Sequence, residues 1–283
     1  MLELQKLELQ KRLRSHLQEI TRERDAYLAT EGHFYVQQYI RQSFEQWGQI
    51  DRHEFKIGQR THTNWILNLS GKQNKLPILI GAHYDTVPGS PGADDNATGV
   101  ATLLELARAF STNSARHPVR LVAFDFEETT YDRAGSTYYT KSLQNEPLRL
   151  MISLEMLGYC TSNPHSQTYP AGLERLYPHQ GNFIGLIGNL KSIPDMLNLR
   201  RAIRKAGVNC EWLPVPQKGT ILPLTRRSDH APFWDRGDRA LMITDTADLR
   251  NPHYHKASDR LETIDLDFLT GICAGLIEGI RYL

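Results

Sequence analysis

The chain has 283 residues, enough to bury a large core in one big α/β domain or in two smaller ones. Its 33 basic and 32 acidic side chains leave a formal charge of +1, which excludes an overall electrostatic footprint for nucleic acid. No run reaches transmembrane length, no apolar signal core stands near the start, and Cys160, Cys210 and Cys273 are too dispersed for a disulfide framework or a cysteine knuckle. The expectation is a cytoplasmic protein with free thiols and without a membrane or nucleic-acid partner.

Leu2, Leu9, Leu13, Leu17 and Ile20 recur near helical spacing among charged residues, which predicts an amphipathic helix over about 2–26. A second helix is expected from Phe34 to Trp47, closed by Gly48. Ile50 to Ile57 and Asn64 to Leu69 alternate in polarity and resemble a hairpin at a sheet edge. The run from Pro77 to Ala82 is continuously apolar, as a central strand should be. After a turn-rich loop with Pro88, Gly89, Pro91 and Gly92, a helix runs from Ala97 to Phe110. Further buried strands are expected at Val119 to Phe124 and Leu150 to Leu154, with a short helix near Gly135 to Leu143 between them. Residues 157–181 lack periodicity and read as a long surface loop, of the kind that often lines a site. Strands at Phe183 to Ile187, Asn209 to Val215 and Ala240 to Thr244, and helices at Met196 to Ala206, Ala231 to Trp234 and Leu266 to Tyr282, complete the chain. Strand and helix alternate without repeat or linker, so the expected fold is α/β, one domain over 1–283. It is a three-layer sandwich of a mixed, mostly parallel sheet with helices on both faces.

The chemistry lies at the strand ends. His83, Glu127-Glu128 and Glu155 each fall just past the C-terminal end of an apolar strand, and Asp94 lies in the loop after the first. Asp229-His230 and His253-Tyr254-His255 occupy loops around the last strand. Parallel strands bring such ends to one edge, where open α/β sheets bind ligands. Carboxylates gathered there repel, no Lys or Arg run accompanies them, and a pair of divalent cations is the simplest compensation. If Asp94, Glu128 and Glu155 are ligands beside neutral His83 and His255, two divalent ions and one hydroxide balance the charge. Mixed imidazole and carboxylate donors suit zinc, with cobalt or manganese as substitutes. Asp85, two residues after His83, is placed to orient that imidazole. In Glu127-Glu128, neighbouring side chains point to different sides, so one can bind metal while the other serves as a general base.

The ordered set Gly81-Ala82-His83-Tyr84-Asp85, Gly92-Ala93-Asp94-Asp95-Asn96-Ala97-Thr98-Gly99, Phe126-Glu127-Glu128, Leu154-Glu155-Met156, Ser228-Asp229-His230 and His255-Lys256-Ala257-Ser258-Asp259 resembles the co-catalytic zinc aminopeptidases. That group includes bacterial leucyl aminopeptidase and the glutamate carboxypeptidase II-like exopeptidases. The resemblance implies two zinc ions, with His83 and Glu155 on one, Glu128 and His255 on the other, and Asp94 bridging. It further implies Glu127 as the base, Asp85 as the orienting partner of His83, a cis Asp94-Asp95 peptide and a peptide substrate. The spacing from His255 to Asp259 favours His255 over His253 as the last ligand, and Glu155 departs from the Asp that many members carry. Asp229 and His230 are expected behind the ligands rather than among them, and Trp212, Phe233 and Trp234 either in a pocket wall or in the core. Two rivals share the fold: a single-zinc glutaminyl cyclase-like acyltransferase, which lacks the Asp94-Asp95 pair, and a non-catalytic binding domain.

Overall fold

The computed structural model describes residues 3–128 and 133–283, so Leu2, expected in the first helix, lies outside the described residues. Helix α1 (Glu3–Ile20) buries the stripe Leu9, Leu13, Leu17 and Ile20 and stops there, short of the expected end near residue 26. The chain turns inward beyond it, because Arg24 and Asp25 are buried. Helix α2 (Glu31–Glu45) starts at Thr30, whose side chain accepts the His33 amide as an N-cap. Strands β1 (Ile50–Ile57) and β2 (Arg60–Leu69) pair antiparallel across a turn at Gly58. Strand β3 (Ile78–His83) leads through a wide turn at 93–98 into α3 (Gly99–Thr112). Then follow β4 (Val119–Phe124), α4 (Ala134–Ser142), β5 (Leu150–Glu155), β6 (Phe183–Asn189), α5 (Ile193–Lys205), β7 (Asn209–Val215), α6 (Ala231–Arg236), β8 (Ala240–Thr244) and α7 (Leu266–Arg281).

All eight strands join one sheet in the order β1-β2-β4-β3-β5-β8-β6-β7. Strands β4, β3, β5 and β8 run parallel, β2 joins them antiparallel, and the parallel pair β6-β7 meets β8 antiparallel. The central strands read as unbroken apolar runs because both faces are covered. Ile78, Ile80 and Ala82 of β3 enter the core beneath α1, α2, α3, α5 and α7, while Leu79 joins Phe124, Tyr139, Phe233 and Trp234 under α4 and α6. Phe233 and Trp234 are therefore core residues, and the cysteines are free thiols.

One buried polar cluster ties α2 to the sheet. Asp125, at the end of β4, takes hydrogen bonds from His33 Nε2 at 2.8 Å and His62 Nδ1 at 3.1 Å. Burial lowers the His33 pKa, but Asp125 more than offsets it and holds the imidazole above its ordinary 6.5. Burial likewise raises Asp125, but the two imidazoles more than offset it and hold the carboxyl below its ordinary 3.8. The His33 contribution to stability is thus complete below pH 6.5 and fades as pH rises through the raised value. The Asp125 contribution is complete above its unfolded value and fades as pH falls through the depressed one. His33→Leu should cost about 1–3 kcal/mol near pH 5–6 and measurably less at pH 9, read from urea melts at both pH values. A pH-independent cost would contradict a charged pair.

Candidate metal centre

His83 ends β3, Glu155 ends β5, and Glu127-Glu128 follow β4 by a short turn, so parallel pairing sets their side chains along one sheet edge. His83 is fully buried, and its Nε2 lies 3.3 Å from Asp95 Oδ1 and 3.5 Å from Glu155 Oε1. Across Asp95, Oδ2 lies 3.2 Å from His255 Nε2, which also meets Glu128 Oε1 at 3.0 Å. Two donor triplets result, His83-Asp95-Glu155 and Asp95-Glu128-His255, each with ligand atoms within 4.8 Å of one another. Asp95 belongs to both. A third grouping, His83-Glu127-Glu128, sets Glu127 beside the first two.

Asp94 is not in the cluster, and the expectation that it bridges is corrected. Its carboxylate faces the protein body, where Oδ1 accepts the Gly158 amide at 2.8 Å and Oδ2 accepts the Asn251 side-chain amide at 2.7 Å. Those donors consume the oxygens a metal would need, whereas both Asp95 oxygens and both His83 ring nitrogens are buried without a hydrogen-bond partner. The cis peptide is likewise at Asp95-Asn96 rather than Asp94-Asp95. His255 stands in the cluster, its ring stacked on Tyr254 at 3.7 Å, while His253 turns away to Ser258. Asp85 lies 3.5 Å from His83 Nδ1, and its two oxygens also accept the Glu127 and Glu128 amides at 3.0 Å each. One carboxylate thus holds the His83 side and the glutamate turn in fixed relation.

Several residues of the sequence motifs make positioning contacts whose partners the sequence does not show. Ser228 donates to Glu155 Oε2 at 2.6 Å, and Asn96 bridges β5 by donating to the Leu154 carbonyl and accepting the Met156 amide. Asp229 is fully buried, and burial pushes its carboxyl up to about 7. Burial instead pushes His230 down to about 3, with Nε2 on the Thr225 carbonyl and the ring edge-on to Trp234.

The electrostatics fit a cation site. Burial pulls His83 and His255 down, yet the surrounding carboxylates raise His83 well above 6.5 and His255 to about 10. Burial and Asp95 push Glu128 up to about 8, and burial with Glu128 and Glu155 pushes Glu127 well above 4.5. A field that charges two imidazoles and protonates carboxyls is one that divalent cations would satisfy. The unpartnered His83 and Asp95 atoms and the mixed nitrogen and oxygen donors suit zinc.

Beside Glu155 opens a cleft walled by Tyr169, Tyr177, Phe183, Trp212, Leu213 and Tyr254. Tyr169 and Tyr177 come from the 157–181 segment, so that loop does line the site, and Tyr177 is fixed by donating to the Trp212 carbonyl at 2.9 Å. Arg227, at the same cleft, is engaged by Asp248 and the Tyr254 hydroxyl at 2.9 Å each.

A carboxylate-imidazole cluster at the C-terminal edge of a mostly parallel sheet covered by helices on both faces defines an α/β protein with a candidate metal site. Residues 64–278 match the model of peptidase family M28, and the chain belongs to that family. The Escherichia coli (strain K12) protein YfbL is 35% identical over 255 residues, covering 85% of this chain and 77% of that protein. Among solved structures, BSAP, a zinc aminopeptidase from Bacillus subtilis, is 25% identical with a TM-score of 0.59, covering 80% of this chain and 52% of that one. Macrostomum lignano glutaminyl cyclase shares the fold at 20% identity and a TM-score of 0.72, covering 95% and 88%. The chain is accordingly a metallopeptidase-type hydrolase acting on peptides, and no helix among its described residues is long and apolar enough to cross a membrane.

Proposed function

We propose that this chain removes N-terminal residues from peptides at a dinuclear zinc centre. His83, Asp95 and Glu155 would hold one ion, Asp95, Glu128 and His255 the other, and Glu127 would be the general base. The observation that carries the reading is the sharing of Asp95 between two donor triplets. Asp95, Glu128 and Glu155 supply three carboxylates, so two divalent ions and one hydroxide still balance with Asp95 in place of Asp94. Family membership and the aminopeptidase activity named for BSAP support removal from the N-terminus. The whole chain, 1–283, acts as one catalytic unit.

Bound zinc supplies Lewis acidity, polarising the scissile carbonyl and acidifying water. Glu127, placed beside His83 and Glu128, accepts the proton of the attacking water and passes it to the leaving amine. Asp85 keeps the Glu127 carboxylate in place through its backbone amide. The cleft beside Glu155 receives the side chain of the residue to be removed.

Zinc-loaded protein should hydrolyse leucyl and phenylalanyl amides with kcat/KM roughly 10- to 100-fold above glycyl amide, because burying a Leu-sized side chain is worth about 1.5–3 kcal/mol. N-acetylated versions should be inert. Turnover of blocked substrates alone would contradict an aminopeptidase, and cyclisation of an N-terminal glutaminyl peptide without hydrolysis would establish the cyclase chemistry instead.

A further inference from the structure

Arg24, just past α1, is fully buried, although burying a guanidinium is costly unless its donors are satisfied. Each of its side-chain hydrogen bonds ends on a backbone carbonyl. Nε donates to Tyr84 at 2.6 Å, Nη1 to Pro91 at 2.7 Å, Arg22 at 3.1 Å and Ile20 at 3.3 Å, and Nη2 to Gly92 at 2.9 Å and Asp95 at 3.4 Å. Tyr84 lies between His83 and Asp85, and Pro91 to Asp95 is the loop that delivers Asp95. The Arg24 amide also donates to Thr86 Oγ1 at 3.0 Å. Gly92, at φ 59, lets the loop come this close, since a Cβ there would sit 3.0 Å from Arg24 Nη1 and collide with the Asp95 carbonyl.

The other side of the loop is gripped in the opposite sense. Asp259 accepts the amides of Asp94 at 2.9 Å and Asp95 at 3.1 Å. The loop's carbonyls therefore face a buried guanidinium and its amides a buried carboxyl group. Arg24 comes from a segment outside the family-matched residues 64–278.

We propose that Arg24 is a positioning residue for the metal centre: with Asp259 it clamps the 91–95 loop so that the Asp95 carboxylate stands where both donor triplets share it. The proposal rests on the two-ion reading of Asp95 given above.

The test uses the full chain as wild type, Arg24→Lys, Arg24→Met, Asp259→Asn and Arg24→Lys/Asp259→Asn. Zinc stoichiometry and affinity are measured by chelator competition, and melting temperatures with and without zinc. Partners of this kind typically contribute 10- to 100-fold to metal affinity. Arg24→Lys keeps the charge but loses the planar fork, and should weaken zinc binding roughly 10-fold or more and shrink the zinc-induced rise in melting temperature. Arg24→Met should do at least as much. Adding Asp259→Asn should cost less than its separate effect, because both groups hold one loop. Removing a nearby positive charge would by itself tighten cation binding, so tighter zinc binding by Arg24→Met would overturn positioning in favour of a charge effect. Equal loss of melting temperature with and without zinc, at unchanged affinity, would overturn it in favour of a structural role. If Arg24→Met does not fold, Arg24→Lys decides. A wild-type chain that binds one zinc removes the two-ion reading, and the affinity of Arg24→Lys for that single ion then decides for or against Arg24; a wild-type chain that binds none removes both.

Discussion

Glu127→Gln is expected to keep its full zinc content and to lose peptide hydrolysis by roughly 10²- to 10⁴-fold in kcat, the range for removing a positioned general base. The substitution is nearly isosteric and leaves the backbone amide that Asp85 accepts, so the glutamate turn should keep its shape. Glu128, His255, Asp95, His83 and Glu155 remain to hold the ions. KM should change little, since the introduced side-chain amide still fills the space beside the substrate and only the proton-accepting oxygen is lost. Metal analysis with steady-state kinetics on a leucyl amide checks both halves. A variant that turns over near the wild-type rate removes Glu127 from the mechanism, and one that loses zinc makes it a ligand.

The second large effect separates two adjacent aspartates. Asp95→Asn should weaken zinc binding by at least about 100-fold and abolish hydrolysis, because the one carboxylate common to both triplets is gone and losing a direct ligand costs more than the 10- to 100-fold of outer partners. Asp94→Asn should keep the zinc stoichiometry. Its side chain lies against Gly158, Thr98 and Asn251, so the cost appears as stability, about 1–3 kcal/mol for a disturbed buried hydrogen-bond set. Zinc titration and a denaturant melt of each variant distinguish them, and the reverse pattern would restore Asp94 as the bridge.

That pair also marks how far the sequence was legible. His83, Glu128 and Glu155 could be placed because each follows an apolar run, and such runs are what doubly covered parallel strands look like. Their convergence follows from strand direction alone. Asp94 and Asp95 could not be told apart that way, since both lie on one irregular turn and the choice depends on dihedrals, with Asp95 at φ −103 and ψ 89. Arg24 was hidden for a different reason. It sits in Arg22-Glu23-Arg24-Asp25, a charged run that reads as surface and prolongs the first helical pattern, so neither its burial nor the helix end at Ile20 had a signal. Ser228 and Asn96 stand in the sequence motifs, but their side chains are neutral and far in sequence from what they orient, so their roles emerge only from tertiary contact.

The order in which the donors occur along the chain has a consequence for synthesis. His83, Asp95, Glu127, Glu128 and Glu155 are all made before β8, but His255 and the loop-gripping Asp259 come only afterwards, just ahead of α7. A growing chain therefore carries a strongly acidic edge with a single imidazole, and the loop bearing Asp95 lacks half its support. Asp259 meets the Asp94 and Asp95 amides across 165 and 164 residues of chain, so the grip on that loop waits on a long-range contact. The His83-Asp95-Glu155 triplet is complete before β8, whereas the Asp95-Glu128-His255 triplet needs a residue that follows it.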